Sequence, residues 1–303
     1  MALYSQTPLR GLALCAGVGG LELGIQIAEP GYQTVCFVER EAFPAATLVA
    51  RMGDKALDEA PIWDDLTTFN GCPWRGKVSV VTGGYPCQPF SQSGKRLGEN
   101  DPRHLWPHVR RIVGETSPEW CFFENVEGHV TLGADAVIGD LQRMGYKVKA
   151  GLFSALECGA SHIRRRFFIM AHADTLGLQR RDRICVGNGW SQDKERFHQG
   201  GQAIHHNRHG KALDNDMDID NDLRGKTEQT FSLPIFAPPP YDFEAWGAIL
   251  AKRPDLQPSF FGLDNGLADG MERSAAAGNG VVSLVAAYAW RTLKAAHVGG
   301  LGL

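Results

Sequence analysis

An alternation constrains this chain more than any other feature: short apolar runs and helical stretches follow one another through the first 173 residues. The strand-like runs are Leu9–Leu14, Thr34–Val38, Val78–Thr82, Trp120–Phe123, Lys147–Phe153 and Phe167–Ala171. Helix-like stretches lie around 20–29, 41–52, 103–115 and 133–143. Such alternation predicts the α/β class, a parallel sheet flanked by helices. The pattern stops near Ala173.

From Asp174 to about Thr230, Gly, Asn, Gln, His and charged residues dominate, and Asp214, Asp216, Asp218, Asp220 and Asp222 alternate. This reads as a solvated excursion. A calcium-binding EF-hand loop is rejected, because its Gly and terminal Glu are missing at the required positions. A proline cluster, Pro234 and Pro238–Pro240, leads into a short predicted helix, Tyr241–Lys252. The chain closes with an apolar helix from about Val281, too hydrophobic to stand alone, which should return to the first domain. The 303 residues are roughly two domains' worth at about 150 each. The expected division is a first domain of 1–173 plus 278–303 and an inserted domain of 174–277.

Composition excludes several classes. At 43% hydrophobic and 21% charged, the chain is not a long disordered protein. The run Val281 to Trp290 is too short to cross a bilayer, so no membrane association is expected. The start, MALYSQTPLR, has neither a basic n-region nor an apolar h-region. Seven cysteines without a C-x-x-C pair offer no zinc site, and the odd count fits reduced thiols in the cytoplasm. A net charge of −3 excludes a uniformly basic DNA-coating protein. It leaves room for a local basic groove that binds phosphates.

Chemistry concentrates at strand exits. In LALCAGVGGLELG, Gly17, Gly19 and Gly20 stand where a strand turns into a helix. The backbone there can approach a ligand and offer the helix's unpaired N–H groups. Glu39 ends the second strand, 20 residues after Gly19, a place suited to accepting hydrogen bonds from ribose hydroxyls. In KVSVVTGGYPCQPFSQSGKR, Cys87 follows a strand and two glycines, where open α/β sheets place ligands. Lys95, Arg96 and Arg103 nearby favour its thiolate, the nucleophilic form. Another strand ends in Glu124–Asn125–Val126. In SHIRRRFF, strand alternation points Arg164 and Arg166 one way and Arg165 the other.

The ordered series CAGVGG, Glu39, WDDL, GGYPCQPFS, ENV, RRRFF and GNG resembles the signature blocks of the DNA cytosine-5 methyltransferases. The resemblance covers about 9–171 and 263–295 and omits the middle. It implies a Rossmann-like methyltransferase sheet carrying a smaller, irregular target recognition domain, with S-adenosylmethionine as cofactor. By this resemblance, Cys87 attacks C6 of a flipped-out cytosine and Glu124 holds and protonates N3. Asn125 and Pro86 shape the pocket, Arg166 binds the cytosine O2, and Arg164 supports the site. The cofactor would lie on Cys15, Ala16, Gly17, Val18, Gly19 and Gly20, with Glu39 on the ribose and Asp65 near the adenine amino group. Asn279 would border the methionine end. Ser91, Ser93, Lys95 and Arg96 would contact DNA from a closing loop.

Three positions depart from the commonest family pattern. Cys15 replaces a phenylalanine that packs on adenine, His162 replaces a glutamine in the arginine block, and Gly280 follows Asn279 in place of Ser or Ala. The insertion, about 174–262, would read the target sequence, with Arg180, Arg181, Arg183, Trp190, Arg196 and Phe197 as candidates for the DNA side. The expected partner is double-stranded DNA, with the enzyme a monomer and a restriction endonuclease its possible functional counterpart. The alternatives are a tRNA-modifying member of the same fold, a silent nucleic-acid-binding homologue, and a nicotinamide oxidoreductase. The last leaves the Pro-Cys-Gln and Glu-Asn-Val blocks unexplained.

Overall fold

The computed structural model describes residues 8–86, 105–131, 133–173, 234–239, 242–254 and 280–299. Its strands are β1 (Arg10–Leu14), β2 (Gln33–Val38), β3 (Ile62–Trp63), β4 (Val80–Gly83), β5 (Trp120–Val126), β6 (Tyr146–Ser154) and β7 (Arg165–Ala173). Its helices are α1 (Gly20–Ala28), α2 (Ala42–Gly53), α3 (Trp106–Thr116), α4 (Ala134–Arg143), α5 (Phe243–Lys252) and α6 (Ser283–Val298). None of the helices among the described residues is long and apolar enough to cross a membrane.

The strands form one sheet in the order β3-β2-β1-β4-β5-β7-β6. From β3 to β5 every pairing is parallel. The expected parallel sheet flanked by helices is present, and it becomes mixed at the far edge, where β7 runs antiparallel to both β5 and β6. The cause is the short link 155–164 between β6 and β7. Parallel strands need a crossover of about a dozen residues or more, usually a helix. This link holds only a 3-10 turn, Leu156–Cys158, so the chain doubles back and β7 slots between its predecessors. Strand β3 was not expected, because two residues carry no periodicity.

Alternate residues of the central strands face opposite layers, and both are covered, as parallel sheets require. Leu12, Leu14, Val81, Phe123 and Ile169 pack under α3 and α4 with Val109, Ile112, Val137 and Leu141. Val80, Phe122, Phe168 and Met170 pack under α1 and α6 with Leu21, Ile25, Ala286 and Trp290. The last helix does return to the first part of the chain. It lies so close to α1 that a Cβ added at Gly24 would fall 2.5 Å from Ala286 Cβ and 2.6 Å from the Ser283 carbonyl oxygen.

Of 174–277, the stretch expected as an insertion, only 234–239 and 242–254 are described. Phe236 packs against the α1–α6 layer, and the Ser161 hydroxyl donates to the Ala237 carbonyl at 3.1 Å. Helix α5 begins at a capping aspartate, Asp242, whose Oδ1 accepts the Ala245 N–H at 3.0 Å. The acidic alternation and the candidates Arg180, Arg181, Arg183, Trp190, Arg196 and Phe197 lie outside the described residues.

Candidate active site

Sheet order reverses direction between β1 and β4, and the carboxyl ends of those two strands sit side by side, with Leu14 opposite Gly83. Open α/β sheets bind ligands in the crevice at this switch point. Three groups of residues converge on it.

The first is the turn from β1 into α1. Gly17 and Gly19 take left-handed conformations, with φ of 55° and 75°. At Gly19 a Cβ would lie 2.4 Å from Leu57 Cδ1, so backbone strain and space both demand glycine. The Gly17 N–H donates to Glu39 Oε2 at 2.7 Å, and the Glu41 N–H donates to Oε1 at 2.8 Å. Burial still holds the Glu39 carboxyl above its ordinary range, outweighing these backbone donors. Arg51 reaches across from α2 to the Val18 carbonyl. Cys15 also has a positive φ, 49°, and burial, with the Glu39 charge second, pushes its thiol up to about 12. The thiol is therefore protonated at neutral pH. Asp65 lies half-buried beyond β3, where Thr67 occupies its Oδ1 through both backbone N–H and hydroxyl at 2.8 Å. Those bonds lower its carboxyl below the usual range.

The second group follows β4. Gly84 passes so near the centre that a Cβ there would lie 3.5 Å from Glu124 Oε2 and 3.8 Å from the Cys15 carbonyl oxygen. Tyr85 is buried, its ring packed on Trp106 and Phe123 and its hydroxyl 3.2 Å from His129 Nε2. Pro86 is exposed and is the last described residue of this segment. Cys87, Ser91, Ser93, Lys95 and Arg96 lie outside the described residues, as does Asn279.

The third group spans β5 and β7. Glu124 and Asn125 sit within β5, not beyond it, because β7 supplies ladder partners as far as Val126 opposite Arg166. Arg166 Nε lies 2.9 Å from Glu124 Oε1, both side chains largely buried. Burial nevertheless raises the Glu124 carboxyl to about 7, more than Arg166 and Arg164 lower it. Arg164 also donates to the Gly280 carbonyl, tying this strand to the start of the last segment. Arg165 points away, toward Glu127 at 3.5 Å on the surface. Asn125 Nδ2 donates to the Tyr85 carbonyl at 3.0 Å, clamping the backbone one residue before Pro86.

The structure thus gathers Glu124, Arg164, Arg166, Asn125, Gly84 and the Cys15 carbonyl at one strand edge, with the Gly17–Glu39 pair on the adjoining strands. A family model described as C-5 cytosine-specific DNA methylase matches residues 9–229, which contain all of these groups. The chain belongs to the C-5 cytosine-specific DNA methylase family. Its seven-stranded sheet, with helices on both faces and a switch point between β1 and β4, is of the doubly wound α/β kind.

Type II methyltransferase M.NgoMIV of Neisseria gonorrhoeae is 32% identical over 164 residues, 53% of this chain and 50% of that one. M.PspPI of a Psychrobacter species is 36% identical over 140 residues, 45% of this chain and 32% of that one. The chain spans about half the length, or less, of the curated relatives it matches. Among solved structures, the Dnmt2 methyltransferase of S. pombe aligns with a TM-score of 0.46 at 23% identity, over 55% of this chain and 51% of that one.

Two residues packed beside these groups escaped the sequence reading. Tyr85 precedes the proline without a signal of its own, yet Asn125 holds its carbonyl and His129 lies against its hydroxyl. His129 follows the Glu-Asn-Val block without a motif of its own, and only the fold shows it buried against the Tyr85 hydroxyl.

Proposed function

We propose that this chain transfers a methyl group from S-adenosylmethionine to C5 of a cytosine swung out of a specific sequence in duplex DNA. The observation that carries the reading is Glu124, a buried carboxyl raised to about 7 and held 2.9 Å from Arg166 at the switch point. A carboxyl near neutrality can deliver a proton where negative charge develops.

In this reading the Cys87 thiolate forms a bond to C6. The C5–C6 π pair moves toward C5 and N3, where the Glu124 proton meets it. Arg166 holds the base by its O2, Arg164 braces that strand through Gly280, and Asn125 fixes the turn bearing Pro86 and Cys87. S-adenosylmethionine, when bound, supplies an electrophilic methyl group to the activated C5. Loss of the C5 proton to a base re-forms the C5–C6 double bond as the Sγ–C6 bond breaks and the thiolate leaves, and N3 returns its proton to Glu124, which restores the aromatic ring.

The glycine-rich turn fits the cofactor. Its left-handed glycines bring N–H groups to the N-terminus of α1, and each Glu39 oxygen keeps a lone pair beyond its backbone donor for a ribose hydroxyl. Cys15 to Gly20, Glu39, Asp65 and Asn279 would hold it. The segment 174–277 would read the DNA sequence. Extruding the base costs a few kcal/mol, offset by contacts from that segment and from Ser91, Ser93, Lys95 and Arg96. The chain would act as a monomer in the cytoplasm of a prokaryotic cell or phage-infected host, alongside a restriction endonuclease.

DNA containing 5-fluorocytosine tests the mechanism, because a C5 fluorine cannot leave as a proton. Wild-type protein with cofactor should form a denaturant-resistant complex with such DNA, and Cys87→Ser should form none. Full turnover by Cys87→Ser would refute the covalent step.

A further inference from the structure

Glu22 is a carboxylic acid in the first turn of α1, 1% exposed and absent from every role assigned above. Its Oε1 accepts a hydrogen bond from the Thr82 hydroxyl at 2.7 Å. Thr82, itself fully buried, belongs to β4 and stands five positions before Cys87. The same hydroxyl lies 3.4 Å from the Leu12 carbonyl oxygen of β1. Tyr32 closes the pocket: a Cβ added at Gly11 would fall 1.9 Å from its hydroxyl oxygen. Its phenol is raised by burial and then by the charge of Glu22. Glu22 Oε2 is buried as well.

A leucine here would join Leu21 and Ile25 without the cost of desolvating an acid. Burial raises this carboxyl to about 7, against help from Thr82 and Arg51, so keeping it weakens the folded state. What it supplies is direction. The other polar anchors of α1 lie at its far end, where Gln26 Nε2 donates to Asp58 Oδ2 at 2.7 Å and Arg291 donates to the Ile27 carbonyl at 3.2 Å. Around Glu22 the remaining contacts are apolar or steric, Leu21 and Ile25 on the sheet and Gly20 and Gly24 against the last segment. Apolar contacts tolerate small rotations of a helix, whereas a buried hydrogen bond does not. The helix end fixed in this way carries the glycine-rich turn, and the strand it is fixed to carries the nucleophile.

We propose that Glu22 is a positioning residue for methyl transfer, locking the turn that holds the cofactor to the strand that delivers Cys87. This rests on the methyltransferase reading above. Misplacement of reacting groups by about 1 Å can cost a hundredfold in rate, so the lock should show in the chemical step more than in binding.

Glu22→Leu, Glu22→Gln and Thr82→Val in the full chain test it. Glu22→Leu should melt at or above the wild-type temperature and bind S-adenosylmethionine within about threefold in calorimetry, a difference below 1 kcal/mol. Its single-turnover methyl transfer to DNA should slow about tenfold or more. Glu22→Gln, which still accepts from Thr82, should recover most of the rate, and Thr82→Val should reproduce the loss from the other side. Hydrogen exchange gives a readout free of activity: Glu22→Leu should speed amide exchange at both 15–20 and 83–86. Wild-type rates in Glu22→Leu would overturn the proposal, as would a Glu22→Gln as slow as Glu22→Leu. Rate, cofactor affinity and melting temperature falling together would mean a merely structural acid, and would overturn it too. Should the wild-type protein leave cytosine unmodified, the methyltransferase reading falls and exchange alone judges Glu22. A joint rise at both turns supports the lock, and unchanged exchange at 83–86 refutes it.

Discussion

Glu124 shows how one residue's surroundings set its chemistry. It shares β5 with Phe122 and Phe123, and in that strand a carboxylate loses most of its water. Arg166 at 2.9 Å and the nearby Arg164 restore only part of that loss, leaving the carboxyl at about 7. The proton is thus available at neutral pH. Glu124→Gln keeps the shape and a donor but cannot deliver a proton, so turnover should fall by about 10²–10⁴-fold, the usual contribution of a general acid. Cofactor affinity should stay unchanged, because the loss is confined to the transition state. Single-turnover methyl transfer at saturating DNA and cofactor measures this, and a wild-type rate would reduce Glu124 to an ordinary strand glutamate. Its motif was legible because Glu-Asn-Val stands at a strand exit. Its burial was not, since that depends on β7 arriving from 40 residues downstream to extend the ladder past Phe123.

Among the elements, the junction of α1 with α6 was foreseen in outline and missed in detail. An apolar last helix had to find a partner, and the run from Val281 to Trp290 said so. That its partner would be the glycine-bearing face of α1 could not be read, because the glycines of LALCAGVGGLELG pointed to a ligand-binding turn and not to helix packing. The structure gives Gly24 another purpose, the close approach of α6. Replacing an open helical glycine by alanine stabilises a helix by about 1 kcal/mol. At Gly24 the sign should reverse. The new Cβ would meet backbone oxygen of Ser283 at 2.6 Å as well as Ala286 Cβ at 2.5 Å, and overpacking of this kind costs about 1–3 kcal/mol. Gly24→Ala should therefore lower the urea midpoint, and a raised midpoint would show that the two helices separate freely. Direction was the harder property for the strands also. Six of the seven were legible from apolar runs, but the reversal of β7 depends on a link too short for a helix, and β3 on two residues that pair only because β2 presents an edge.

Among the described residues, burial lifts three acids above their ordinary value: Glu22 and Glu124, each raised to about 7, and Glu39, raised in the same direction. All three lie around the switch point, so the region that was most legible as a site is also where the fold gives up stability. Between the unfolded value of 4.5 and the folded value of about 7, the native state binds more protons than the unfolded chain. Stability contributed by these groups is therefore complete below 4.5 and falls as pH rises through 7. Moving one carboxyl that far corresponds to about 3 kcal/mol as an upper figure. Glu29 works in the opposite sense. Burial raises its carboxyl, but hydrogen bonds from Lys294 and Trp290 bring it below its ordinary value, and its contribution is lost only on acidification. His297, lowered mainly by burial, likewise loses stability as pH falls. The bare pH profile mixes these terms, and a difference separates one of them. Glu22→Gln removes the ionisation of a single acid and leaves the others in place. Its stability relative to wild type, measured by urea unfolding from pH 5 to 8, should climb with pH and level off above 7. A difference that stays flat across that range would mean that Glu22 is no harder to ionise in the folded protein than in the unfolded chain, and that its burial costs the fold nothing.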